Sequence, residues 1–259
     1  MAHPSRNQQL LIPSNGVGLN AVLFQAAGIG PHPTVILMHG LPGNERNLDL
    51  AQAIRRCGWD VLTFTYRGAW GSPGDFSIAN SMEDAVAAFA FARSPEAAKF
   101  GIDGRHIVLA GHSMGGATAF MAAASATGLD GLILIDAWNP ALKNSKGADT
   151  REALAKGFDD FGNSLHSATP ETVADEVIAK RSEWNLIAAA PRLAQLPILS
   201  VYAKYGIDEP NRTLAASLGQ GGSGHLTAIE MDTDHSFTDH RMALAAAVTD
   251  WLNRLWAKR

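Results

Sequence analysis

One short stretch restricts this chain more than any other: His106 to Thr127, HIVLAGHSMGGATAFMAAASAT, with Ser113 near its centre. An apolar, β-branched run from His106 to Ala110 stops at Gly111, and small residues at helical apolar spacing begin just past Gly115 and Gly116. The pattern predicts a strand, a sharp turn and a helix. Gly111-His112-Ser113-Met114-Gly115 fits Gly-x-Ser-x-Gly, in which the glycines remove side chains that would clash in so tight a bend. The serine hydroxyl is then pushed out at the sheet edge. With a strand before it and a helix after it, Ser113 reads as a nucleophile rather than a chance turn.

The flanking sequence extends this into a sheet. Gln8 to Pro13 and Gly18 to Phe24 are apolar segments split by Asn15-Gly16, a hairpin signal. Thr34 to Met38, Asp60 to Tyr66, Gly131 to Asp136, Pro197 to Ala203 and His225 to Met231 read as further strands. Helices are expected from about Glu45 to Cys57 with Asn44 as cap, Ser81 to Arg93, Asn211 to Leu218 and Asp239 to Trp256. From residue 34 onward strands alternate with helices, which implies an α/β fold: a parallel sheet covered on both faces, with its ligand site at the strand C-terminal ends. Residues 138–192 break that rhythm. Helices over Arg151 to Phe161 and Glu171 to Ile187, the second starting at Thr169-Pro170, suggest a small helical cap inserted over the site within a single domain, 1–259. A crossover packed away from the site is the plainer alternative. Gly219 to Gly224 reads as a flexible loop.

The 259 residues are enough for one α/β domain with a large core, and a net charge of −4 with both signs scattered argues against nucleic acid or a polybasic membrane contact. Cys57 is the single cysteine, so no internal disulfide can form. No stretch approaches the roughly 18 apolar residues of a membrane span, and the N-terminal apolar run is too short for a signal peptide. A cytoplasmic protein is expected. No close His/Cys/Asp spacing suggests a metal.

A serine needs a base to take its proton and an acid to orient that base. Of the nine histidines, His3 and His32 lie in a tail and a loop, and His106 and His225 open strands at the far end of the sheet. His112, beside the nucleophile, is expected to pack or hydrogen-bond behind the turn, and His39 to orient the loop after its strand. His235, in Asp232-Thr233-Asp234-His235-Ser236-Phe237, sits between the last strand and last helix, at the same edge as Ser113. It is the expected base. Position favours Asp208 as the acid, leaving Glu209 and Asp136 as alternatives. The backbone N–H of Met114 and, because Pro42 has none, that of Leu41 are the expected donors to the developing oxyanion. Arg67, Trp70 and Trp138 are either substrate contacts or structural residues.

In the order His39-Gly40, Gly111-x-Ser113-x-Gly115, Asp208 and His235, the chain resembles the α/β-hydrolase superfamily over nearly its whole length. Tyr66-Arg67-Gly68 with Gly71-Ser72, and Asp234-His235-Ser236-Phe237, resemble the branch of prolyl-oligopeptidase-type peptidases and dienelactone-hydrolase-like esterases. The resemblance implies an eight-stranded, mostly parallel sheet, a Ser113/His235/acid triad, an acyl-enzyme intermediate and no cofactor. The expected activity is carboxylic-ester hydrolysis on a small-molecule ester or amide. Peptidase or acyl-transfer activity, or a non-catalytic ligand-binding fold, are the alternatives. The related epoxide hydrolases and dehalogenases carry aspartate where Ser113 stands.

Overall fold

The computed structural model describes residues 3–142, 150–158, 164–220 and 225–257. Its frame is an eight-stranded sheet in the order β1-β2-β4-β3-β5-β6-β7-β8. Strands β1 (Arg6–Ser14) and β2 (Val17–Gln25) form the hairpin expected at Asn15-Gly16, with Ser14 opposite Val17. β2 pairs antiparallel with β4 (Asp60–Phe64). The remaining strands are parallel: β3 (His32–Met38), β5 (Ile102–His112), β6 (Gly131–Ile135), β7 (Ile198–Tyr205) and β8 (Leu226–Asp234). The central strands are nearly continuous apolar runs because helices cover both faces. Val35, Val61, Val108 and Ile133 meet in a core with α1 (Leu48–Arg56) and α9 (Arg241–Trp256). Ile36, Leu62, Leu109 and Leu134 face the other way, with α2 (Ile78–Ala92) and α4 (Met114–Ser125).

Several helix ends differ from the sequence expectation for local reasons. α1 begins at Leu48, not near Glu45, and Asn44 does not cap it. Asn47, at φ +54, breaks the turn, while Glu45 Oε1 accepts from Asn47 N at 2.6 Å and Arg46 Nε donates to Gly43 O at 3.0 Å. Side chain to backbone bonds there compete with a helical turn. α2 starts three residues before the expected Ser81 because the Ser77 hydroxyl caps Asn80 N at 2.9 Å. α3 (Pro95–Ala98) is a single turn capped by Ser94.

The insertion after β6 holds α5 (Arg151–Gly157), α6 (Pro170–Lys180) and α7 (Leu186–Ala189), with a 3-10 turn over Ala190–Leu193. The far end of the expected Arg151 to Phe161 helix lies outside the described residues, as does most of the Gly219 to Gly224 loop. Thr169 and Pro170 begin α6 as expected, through a reciprocal Thr169/Thr172 capping box. The helix does not run on to Ile187: it ends at Lys180, and Asn185 caps a new one by accepting from Ile187 N and Ala188 N. This segment is docked rather than loose. Val173, Val177 and Leu165 are buried in the core of the α2/α4 face. The Glu176 carboxylate accepts from Ile78 N and Ala79 N at 2.8 and 2.9 Å, closing the N-terminus of α2. Trp70 N donates to Ser164 O and His166 N to Gly68 O, tying the segment to the loop after β4. α8 (Asp208–Gly219) follows β7. Among the described residues no helix is long and apolar enough to cross a membrane.

Candidate active site

The strand-turn-helix predicted around Ser113 is built by close approach. Ser113 stands between β5 and α4 at φ +56 and ψ −120, outside the ordinary regions for a side-chain-bearing residue. Such a backbone stores roughly 1–3 kcal/mol and persists only where its surroundings hold it. Here they do: Ser113 N donates to Ile135 O at 3.0 Å and Trp138 N donates to Ser113 O at 2.9 Å. The glycines are there for space. A Cβ on Gly111 would lie 2.0 Å from Gly115 O, and one on Gly115 would lie 2.3 Å from Met38 O. Gly116 is needed too, since its Cβ would come within 2.6 Å of the Ala137 side chain.

His235 follows β8 and reaches the same edge. Its Nδ1–H donates to Asp136 Oδ2 at 2.5 Å, so the carboxylate on this histidine is not that of Asp208. Asp136 directly follows β6, at φ +40, and is fully buried. Its Oδ1 accepts from Ala203 N at 3.2 Å and Asn211 Nδ2 at 3.3 Å, and its Oδ2 also accepts from Ile207 N at 3.0 Å. A charge taken out of water needs such donors. Gly206 must be glycine to permit this, because a Cβ there would sit 2.1 Å from Asp136 Oδ2. Asp208 instead opens α8. Its Oδ1 accepts from Glu209 N at 2.6 Å and its Oδ2 lies 3.5 Å from Arg212, while Glu209 is exposed. The physical reason is that β7 runs on to Tyr205, two residues past the expected end, and α8 begins at Asp208, three residues before the expected Asn211, so Asp208 lies in the first helical turn. The intervening turn at Gly206-Ile207 donates to Asp136 rather than supplying the acid.

With Nδ1 donating to Asp136, the lone pair of His235 Nε2 is free to accept a proton. Among the described residues Ser113 Oγ and His235 share no hydrogen bond, a contact that in unliganded sites often tightens only with substrate. His112 bridges the two. Its Nε2–H donates to the His235 carbonyl at 2.9 Å and its ring lies 4.6 Å from the His235 ring. Burial, with the neighbouring His235 charge second, pushes its pKa down to about 4, so it is neutral near pH 7. His39 is also buried, donates through Nδ1–H to Gly40 O at 2.7 Å, and is likewise pushed to about 4, chiefly by desolvation. It does orient the loop after β3, as expected from its position.

That loop lies against Ser113. A Cβ on Gly40 would be 3.0 Å from Ser113 Cβ, so only glycine lets the backbone leading to Leu41 come so near. Met114 is the first residue of α4, where an amide has no intrahelical acceptor. Among the described residues neither Leu41 N nor Met114 N donates to a protein group. Arg67 is structural: its Nε donates to buried Asp84 at 2.6 Å and its backbone N to the same carboxylate at 2.7 Å. Trp138 is half-buried beside Ser113, with its ring edge-on to Phe158 of the inserted segment at 6.1 Å. Trp70 is exposed and holds the loop after β3, its Nε1–H donating to Pro42 O at 2.7 Å. The buried Asn211, which steadies Asp136 from α8, gave no signal in the sequence.

A family model described as the alpha/beta hydrolase fold matches residues 33–195. No curated protein matches the sequence. Solved structures similar to it include an esterase of Pyrobaculum calidifontis, with TM-score 0.73, 19% identity and coverage of 96% of this chain and 86% of that one. A fungal esterase from Rhizomucor miehei superposes with TM-score 0.74 at 16% identity, over 99% of this chain and 86% of its own. A monoacylglycerol lipase of Paleococcus ferrophilus gives TM-score 0.69 at 19% identity, covering 92% and 99%.

Proposed function

Because this chain belongs to the alpha/beta hydrolase fold family, we propose that it is a serine hydrolase that cleaves carboxylic esters through an acyl-enzyme intermediate. The observation that carries the reading is the Asp136 to His235 hydrogen bond, made at the sheet edge where the strained turn presents Ser113. In this reading His235 Nε2 takes the Ser113 proton as Oγ attacks the acyl carbon. The Leu41 and Met114 amides then hold the oxyanion, and the same imidazolium returns the proton to the departing alcohol. Water, deprotonated by His235 in turn, releases the acid. Asp136 keeps the imidazole in the required tautomer and stabilises its charged form without being protonated itself.

Ester substrates are favoured because the structures of similar fold from Pyrobaculum, Rhizomucor and Paleococcus are described as esterases and a monoacylglycerol lipase. Kinship to the dienelactone-hydrolase-like branch rests on Tyr66-Arg67-Gly68, Gly71-Ser72 and Asp234 to Phe237. The Trp138–Phe158 contact supports residues 138–192 acting as a cap beside the acyl site. An amide or an acceptor alcohol would use the same intermediate, so both belong in the substrate panel.

The test is fluorophosphonate labelling together with hydrolysis of p-nitrophenyl acetate and butyrate, on the wild type and on Ser113→Ala. The wild type should label and turn over. The folded variant should do neither, with a rate loss on the order of 10⁴ or more. A folded wild type that neither labels nor hydrolyses either ester would sink the reading.

A further inference from the structure

A groove of about 500 Å³ runs over the outer face of β1, β2 and β4 beside the N-terminus of α1, and Ser113 is not among its lining residues. That volume lies within the roughly 300–1,000 Å³ of ordinary ligand sites. Its walls are unusual in two respects. Leu11, Leu48 and Trp70 are 60, 44 and 39% exposed, and all three line the groove. Large apolar side chains gathered in one concavity mark a binding surface more often than the same residues scattered singly. Arg46 closes the end near Trp70, its guanidinium 4.7 Å from the indole centroid. It is half-buried, and among the described residues no carboxylate pairs with it. By contrast its neighbour Arg241 is held by Asp49. Desolvation without a compensating anion pulls the Arg46 pKa below its usual value.

Gln9, Asn20 and Thr63 add polar groups to the lining, so the groove is mixed, with exposed Leu11 and Leu48 along it and a partly desolvated cation beside Trp70; that combination is complementary to an amphiphilic anion. We propose that this groove binds a linear alkyl carboxylate, with the carboxylate on the free guanidinium N–H groups of Arg46 and the chain along Leu11 and Leu48. Guanidinium suits this role because its planar fork matches a carboxylate bidentately. Occupancy would be felt at the loop that carries Leu41. Arg46 Nε holds Gly43 O at 3.0 Å, and Trp70 Nε1 holds Pro42 O at 2.7 Å. The site stands whether or not Ser113 hydrolyses esters, since no residue of the proposed triad lines it.

The experiment is a titration of sub-micellar decanoate into protein carrying ¹⁵N-labelled tryptophan, read at the indole N–H resonances. Those of Trp70 and Trp138 are identified by their loss in Trp70→Phe and Trp138→Phe. The Trp70 resonance should shift saturably. Arg46→Gln should weaken binding about tenfold or more, and Leu11→Ser, which leaves the Gly43 contact intact, severalfold. Decan-1-ol, with the same chain and no charge, should bind about tenfold more weakly than decanoate. The proposal is overturned if millimolar decanoate leaves Trp70 unmoved, if the Trp138 resonance alone responds, or if Arg46→Gln and Leu11→Ser both bind as the wild type does.

Discussion

Two adjacent strand ends each place an aspartate near the C-terminal edge of the sheet, and their surroundings differ in every respect that matters. Asp136, after β6, is fully buried and accepts four hydrogen bonds, from His235, Ala203, Asn211 and Ile207. Asp208, after β7, sits in the first turn of α8 and bonds locally to Glu209 N and Arg212. A carboxylate can stabilise a helix N-terminus almost anywhere on a surface. Holding an imidazole in one tautomer requires a fixed, desolvated acceptor on one ring nitrogen, and only the first aspartate provides it. The contrast is most sharply tested by Asp136→Asn. Its amide keeps the shape but removes the acceptor charge and disturbs the tautomer, so kcat should fall by about 10⁴. Circular dichroism should show the fold retained. A loss below tenfold would show that another group orients His235.

The next largest effect is expected at a residue with no side chain. Gly206→Ala would place a methyl 2.1 Å from Asp136 Oδ2, so either the carboxylate or the turn must move. Displacement of a catalytic group by about 1 Å can cost on the order of 10²-fold in rate. Steady-state kinetics should show the loss in kcat, with KM for p-nitrophenyl butyrate little changed. If the variant proves too unstable to assay, Gly219→Ala serves as the control, since a Cβ there meets only Leu226 Cδ2 at 3.9 Å and should alter neither rate nor folding.

The same contrast explains what could be read from the sequence. Ser113 and His235 could be singled out because a sharp turn needs glycines at fixed offsets and because few histidines follow a strand at the right edge, and the structure brings both to that edge. The apolar runs of β3, β5 and β6 announced themselves for the same reason that parallel strands are buried on both faces. The carboxylate that bonds His235 was not legible in this way. Choosing between Asp136 and Asp208 depends on where β7 ends and α8 begins, and the helix starts at Asp208, three residues before the expected Asn211, leaving only Gly206 and Ile207 as the turn. Strand ends carry no strong sequence signal. The start of α1 escaped because Asn47 adopts a left-handed backbone in a turn held by Glu45 and Arg46 side chains, which residue spacing does not encode. The end of α6 escaped because Asn185 reads equally well as a mid-helix polar residue or as a cap.

His112 tests how rigidly the better-buried aspartate-histidine pair is held. His112→Leu removes the donor to the His235 carbonyl, and kcat should fall on the order of tenfold, as for one lost positioning hydrogen bond. The group also has a pH signature. Its folded pKa, about 4, lies below the ordinary 6.5, so as pH falls the unfolded chain takes up the proton first. Stability from this residue is therefore fully present above about pH 6.5 and declines until pH 4, by about 3 kcal/mol in all. Urea midpoints at pH 7.5 and 4.5 should show the gap between His112→Leu and wild type narrowing in acid. A gap that stayed constant would mean the buried histidine is not held neutral.

The smallest expected effect is at the aspartate on the other strand end. Asp208→Asn removes a charge from the first turn of α8 and its interaction with Arg212, for which about 0.3–1 kcal/mol is the ordinary contribution. Rate should change less than twofold, since among the described residues nothing links this carboxylate to His235, and thermal unfolding should fall by only a few degrees. Asp136→Asn and Asp208→Asn thus change the same atoms at neighbouring strand ends with effects on kcat about four orders of magnitude apart. A large kcat loss at Asp208 with an unchanged melting temperature would mean that α8 unwinds during turnover to bring the second aspartate to the histidine. The hydrogen bonds of Asn211 to Asp136 and to the Ala137 carbonyl, made from the same helix, oppose such a movement.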